Sequence, residues 1–298
     1  MVSSDNLAIF VSSNCKWCQM KQLIINADDF GISLPVNKAI NNCFKKGVLD
    51  SATIMVNMPH AYDAAVISLE SKLPVGLHFN LTLGVPISPL KQVETLVNAD
   101  GVFYNRREFI KRYLLKKIKL QHVEIEFNAQ LKKFSDLKLS LDHIDSHQHI
   151  HILPNIFDMV AAYCKKNSAP LRMVRPYKSY NQSLKKKLKV KILSFCSERN
   201  FKKWENDIEM NPYLVSIFDI LPENTNLTFE MYKRLLSELP STTTEFMIHP
   251  IVSNTDISAK KLTRISHISE QEYSIVMSKE FLVLLEDLKL KRTLYSNM

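Results

Sequence analysis

From residue 22 onward, short apolar runs alternate with stretches of helical period along this 298-residue chain. Residues 23–27 (LIINA) read as a buried strand, and 36–46 as a helix stopped by Gly47. Residues 52–56 give a second strand, 61–71 a helix, and 75–81 (VGLHFNL) a third strand. Pro86, Pro89 and Gly101 break the pattern across 86–104, which reads as a loop. Helical periodicity returns over 106–119 and 123–137. Residues 141–154 (LDHIDSHQHIHILP) alternate polar and apolar and read as a fourth strand, followed by a helix over 155–166 and a strand over 171–174 that ends in Arg175-Pro176. Residues 177–226 are irregular and Lys-rich, an excursion carrying one or two helices. The chain then reads as a helix over 230–239, a short strand over 245–248 and a single long helix over 270–288.

Repeated βα units predict a parallel sheet with helices outside, and the length suits a single α/β domain of (β/α) barrel-like form. No internal repeat or clear linker divides it. The expected division is an N-terminal extension, 1–21, and one domain over 22–298.

Composition narrows the class. With 46% hydrophobic and 23% charged residues the chain is an ordinary globular protein. No apolar run approaches the ~18–20 residues needed to span a bilayer, and no basic-then-apolar leader opens it, so a cytoplasmic enzyme is expected. The net charge of +9 is concentrated at 111–119 (KRYLLKKIK) and 185–191 (KKKLKVK). Apolar residues interleave there at helical spacing, which predicts the wet faces of amphipathic helices. An anionic partner is the competing reading; no nucleic-acid module supports it, whereas peripheral membrane contact and a homodimer stay open. Cys43, Cys164 and Cys196 lie in apolar stretches and are expected to be buried thiols. Cys15 and Cys18 form a CxxC too close to the next strand for a redox fold, and no second ligand pair accompanies them.

Chemistry concentrates at 141–154, which holds four of the nine histidines. As a strand, this stretch would place Asp145, His147, His149 and His151 on one face, suited to a metal ion or to proton transfer. Three other apolar strands also end in polar groups: Asp28-Asp29 in NADDFG, His78 and Asn80 in GLHFNL, and His249-Pro250 in EFMIHP. Parallel α/β folds assemble their sites at such strand ends. Same-face strand residues lie ~6.5–7 Å apart, too far for the three histidines to chelate one ion together. Asp29, His78 and His147 make a carboxylate-plus-two-imidazole set; His147 with His151 is the alternative and needs helical spacing. His60, His122, His143 and His267 are expected at the surface or in loops.

Together NADDFG, GLHFNLT, DSHQHIH and EFMIHP, in this order and spacing, resemble the YdjC-like (ChbG-type) carbohydrate deacetylases. The likeness extends to SATIMVN, LGVP, DGVF and ISEQEY, and covers residue 22 to the end. It implies a barrel-like fold related to the polysaccharide deacetylases and removal of N-acetyl groups from an acetylated amino sugar or oligosaccharide, free or glycolipid-linked, with a divalent ion, magnesium or zinc. It further implies that Asp29, His78 and His147 hold the metal, that Asp28 is the general base and that His249 is the acid. Asp145 is expected to orient a ligand imidazole, and His151 and Arg175 to meet substrate. Relatives commonly carry a small residue and an aromatic after the final His-Pro, where this chain has Ile251-Val252. Two rival functions remain at this stage: a glycosidase using a carboxylate pair, and a non-catalytic metal- or sugar-binding protein.

Overall fold

The computed structural model describes residues 21–177, 184–220, 226–252 and 266–298. The CxxC at Cys15 and Cys18 lies outside the described residues, as do the side chains of the 185–191 lysines. Among the described residues seven parallel strands form one sheet: β1 (Gln22–Phe30), β2 (Ser51–Ile54), β3 (Val75–Phe79), β4 (Leu141–Ser146), β5 (Tyr213–Ser216), β6 (Thr243–Ile248) and the two-residue β7 (Lys291–Arg292). Their order is β4-β3-β2-β1-β6-β5, with β7 beside the start of β1.

The predicted strand at 171–174 closes this sheet. Arg172 N–H donates to Ile144 O of β4 (2.9 Å), while on the other side Leu171 N–H donates to Glu209 O (3.0 Å) and Leu214 N–H of β5 donates to Arg175 O (2.9 Å). Bridges from this segment to β4 and β5 complete a barrel of the expected α/β class.

Strand alternation explains what fills the barrel. Along β1, Leu23, Ile25 and Ala27 pack into the apolar layer under the helices. Asn26 and Asp28 point the other way and bond across the interior to Thr53, Ser51 and Arg172. The interior is therefore polar, and its largest fully buried side chain is Arg172.

Several expectations need correction. The His-rich stretch is a strand only to Ser146; His147–Ile152 is a 3-10 turn in which Gln148 (φ 54°) and His149 (φ 59°) adopt the left-handed conformation, so its histidines do not share one face. The helix expected over 106–119 stops at Leu114, the one expected over 270–288 is two (Ser266–Val276 and Lys279–Asp287), and the 177–226 excursion contains β5. Cys43 and Cys164 are buried but Cys196 is only half-buried. His143 is fully buried rather than at the surface, and His122 is nearly so.

Candidate active site

The polar strand ends converge at the C-terminal mouth of the barrel. β1 ends in a bulge relative to β2 between Ala27 and Phe30, and Asp29 there has φ 65°. That left-handed residue, which costs on the order of 1 kcal/mol for a residue with a Cβ, turns two adjacent carboxylates toward one site instead of opposite faces. Gly31 follows at φ 94°, and a Cβ there would stand 3.0 Å from Ala61 Cα, so glycine is required on both counts.

Asp29 Oδ1 lies 3.0 Å from His147 Nδ1 and 3.4 Å from His78 Nε2. The three donor atoms all fall within 4.8 Å of one another. His147 reaches this point because the turn at Gln148 and His149 swings the chain back immediately after it. His78 is fixed from behind: Asp145 Oδ1 accepts from its Nδ1 at 2.7 Å, which leaves Nε2 aimed at Asp29. Burial alone would lower the His78 pKa, but the carboxylates of Asp145 and Asp28 overcome it and lift it to about 10. The chemistry of this donor set, one carboxylate and two oriented imidazoles among excess buried carboxylate, fits a divalent cation.

Asp28 is 2% exposed and gripped in a fork by Arg172, Nη2 to Oδ1 at 2.6 Å and Nη1 to Oδ2 at 2.8 Å. Burial opposes its ionisation, yet the guanidinium and neighbouring imidazoles hold its pKa well below the ordinary carboxylate range. Asn26 Nδ2 donates to its Oδ1 at 3.0 Å. His249 Nε2 lies 3.9 Å from Asp28 Oδ2, on the open side of the site. Its backbone N–H donates to buried Glu272 (2.6 Å), and the ring sits edge-on to Phe218. Burial lowers the His249 pKa against the pull of Asp28 and Asp29, and Nδ1 is buried with no hydrogen-bond partner among the described residues. Asp28, Asp29, His249, Val36, Pro250, Ile251 and Ser269 line a small open cleft.

Two expected site residues stand elsewhere. His151 is fully buried: its Nδ1 meets Ser146 Oγ at 2.5 Å, and its Nε2 donates to Arg172 O at 2.9 Å. Burial pushes its pKa down to about 4, so it is a neutral clamp behind the turn and not a substrate contact. Arg175 is tied to Glu198 (2.9 Å) and stacks near Phe201 and Tyr213. Sequence reasoning passed over Arg172, Thr53, Glu245 and Glu272. A lone arginine in the apolar run LRMV was the available signal for the first, since a buried cation demands buried anions.

A sequence model of the YdjC-like protein family matches residues 22–287. The chain belongs to that family. A carbohydrate deacetylase of Clostridium beijerinckii is 38% identical over 155 residues, which cover 52% of this chain and 60% of that protein. A chitooligosaccharide deacetylase of Proteus mirabilis is 36% identical over 155 residues, covering 51% and 59%. The matched stretch thus spans about 60% of the length of these relatives. A crystal structure from Enterococcus faecalis V583, provisionally named for cellobiose-phosphate cleavage, is similar with TM-score 0.76 and 24% identity over 94% of this chain and 100% of that one. At that identity it supports the fold alone.

Proposed function

We propose that this YdjC-like protein is a divalent-metal-dependent carbohydrate deacetylase that removes the N-acetyl group from an acetylated amino sugar or chitooligosaccharide. The observation that carries the reading is the convergence of Asp29, His78 and His147 beside the Asp28–His249 pair at one barrel mouth. The names of the family relatives supply the substrate class.

Asp29, His78 and His147 would hold the ion; two imidazole donors favour zinc over magnesium. Bound there, it supplies Lewis acidity toward the amide carbonyl and acidifies the attacking water. Asp28, kept ionised by Arg172, accepts a proton from that water as its oxygen bonds to the acetyl carbon. The C–N bond then breaks, and the amine leaves only when protonated. His249 Nε2, 3.9 Å from Asp28 Oδ2, donates that proton and is reloaded along the same short path. Acetate and a free amino sugar are the products. Ile251, buried and lining the cleft, is positioned to shape the acyl or sugar pocket.

A glycosidase would need one carboxyl kept protonated to serve as the acid. Asp28 and Asp29 are both held well below the ordinary range, Asp29 by the His147 and His78 imidazoles despite its burial. The test is acetate release from N-acetylated chitooligosaccharides by zinc- and magnesium-loaded protein, with and without chelator. Asp28→Asn is expected to reduce kcat by about 10²–10⁴-fold while metal content, read by elemental analysis, is retained. Chelator-insensitive glycosidic cleavage, or no acetate from any N-acetyl sugar, overturns the reading.

A further inference from the structure

Tyr295 lies eight residues beyond the end of the matched family region at residue 287, yet it is completely buried. Its ring stacks on His143 with centroids 3.8 Å apart and planes 14° from parallel. The close pairing of β7 with Gln22 and Leu23 at the start of β1 brings this last segment to the N-terminal end of the barrel, opposite the candidate site. From there the Tyr295 hydroxyl donates to Glu245 Oε2.

Glu245 is the other half of the device. Its two oxygens take one edge of the Arg172 guanidinium, Oε2 from Nε at 2.9 Å and Oε1 from Nη2. Asp28 takes the opposite edge through Nη1 and Nη2, the remaining Nη1 hydrogen goes to Met247 Sδ at 3.7 Å, and Asp145 Oδ2 stands 2.6 Å from Nη1 as an ion pair. All five guanidinium donors are thereby used, and all four groups are nearly or wholly excluded from solvent. A planar cation held by forks on two edges has no rotational freedom. The Glu245 fork sets the plane in which Asp28 is presented, and the Tyr295 hydroxyl sets the Glu245 carboxylate.

We propose that Glu245 and Tyr295 are positioning residues for the general base, acting through Arg172. The last turn of the chain, outside the matched family region, is then part of the catalytic apparatus. The inference rests on the deacetylase reading for its kinetic consequence but not for its structural one.

The experiment compares Tyr295→Phe, which keeps the stacked ring and removes only the hydroxyl, with Glu245→Gln, which keeps shape and removes the charge. Two readouts are taken on the full chain. The first is kcat and KM for acetate release from a diacetylated chitobiose. The second is the ¹H–¹⁵N resonance of Arg172 Nε–H in the metal-free protein, assigned by its loss in Arg172→Lys. The expected result is that Tyr295→Phe lowers kcat by about tenfold with KM unchanged, and displaces the Nε–H resonance without loss of the folded spectrum. Glu245→Gln is expected to do the same to a greater degree. Wild-type kcat with an unmoved resonance in Tyr295→Phe overturns the proposal, as does a rise in KM at constant kcat. If the wild-type protein releases no acetate, the functional reading fails by itself. The resonance alone then decides the positioning, a displaced signal supporting it and an unmoved one overturning it.

Discussion

Arg172 carries a heavy electrostatic responsibility for a single residue, because Asp28, Asp145 and Glu245 all lie buried against it. Burial would push each of these carboxylates toward neutrality, and the shared guanidinium is what opposes that at Asp28 and Asp145. Glu245 still ends raised, because its burial outweighs the pull of Arg172, with the repulsion of Asp28 adding to it. Removing the cation leaves buried charge unpaired, which costs on the order of 3–5 kcal/mol. Arg172→Met is therefore expected to lose that much stability in urea denaturation at pH 7. The sign of its pH dependence follows: carboxylates without their partner bind protons more tightly folded than unfolded, so the deficit must shrink as pH falls. A deficit that is constant from pH 5 to 8 would contradict this. Little of it was visible beforehand, because one arginine in an apolar run does not announce three partners from three distant strands. Asp28, Asp29, His78, His147 and His249 were visible because each sits in a short motif just after an apolar strand.

At the scale of elements, the βα alternation was readable because strands of period two and helices of period 3.6 leave different apolar patterns. The misread element is the most informative one. A histidine-bearing strand and a strand that breaks into a left-handed turn at Gln148 and His149 have the same polarity pattern. Neither residue is the glycine that would have signalled the turn. β5 was hidden for another reason: four residues inside a Lys-rich stretch give too short an alternation to detect. The junction between β6 and the helix Ser266–Val276 offers a pH-dependent test. Glu272 of that helix accepts from His249 N–H and from the Tyr232 hydroxyl (3.2 Å), and burial lifts its pKa to about 7. A carboxyl raised in the folded state keeps a proton that the unfolded chain has already released. Stability is thus lost as pH rises from the ordinary Glu value, near 4.5, to about 7. The loss should be on the order of 3 kcal/mol. Glu272→Gln, which keeps an acceptor for His249 N–H, is expected to flatten that part of the stability–pH curve, measured by denaturant midpoints at half-unit intervals. An unchanged slope would mean that Glu272 does not titrate there.

For the molecule as a whole, the barrel is stabilised from outside by its apolar layer and strained from inside by its charges. Asp28, Asp29, Asp145 and Glu245 are all nearly or fully buried within it, and Arg172 is the permanent cation that Asp28, Asp145 and Glu245 share. His78 offsets part of the excess when protonated, which is why its pKa is lifted so far. A divalent ion held by Asp29, His78 and His147 would complete the balance in the folded state and would find no such site in the unfolded chain. Linkage then requires stabilisation by RT ln(1 + [M]/Kd), about 2.7 kcal/mol at a hundredfold excess over Kd. For a chain of this length that corresponds to a rise in Tm of roughly 2–4 °C per kcal/mol. Titrating zinc or magnesium into chelator-treated protein should raise Tm in a saturable way, and the more strongly binding ion should do so at lower concentration. Asp29→Ala should abolish the rise. It should not abolish folding, because Asp29 occupies a left-handed position whose strain the barrel already bears, and it takes no part in the Arg172 network. A rise that survives in Asp29→Ala would move the ion away from this triad, toward the neighbouring group of Asp28, His78 and Asp145 whose donor atoms also converge. There Arg172 already occupies two of the three ligands, so a second cation would have to displace it.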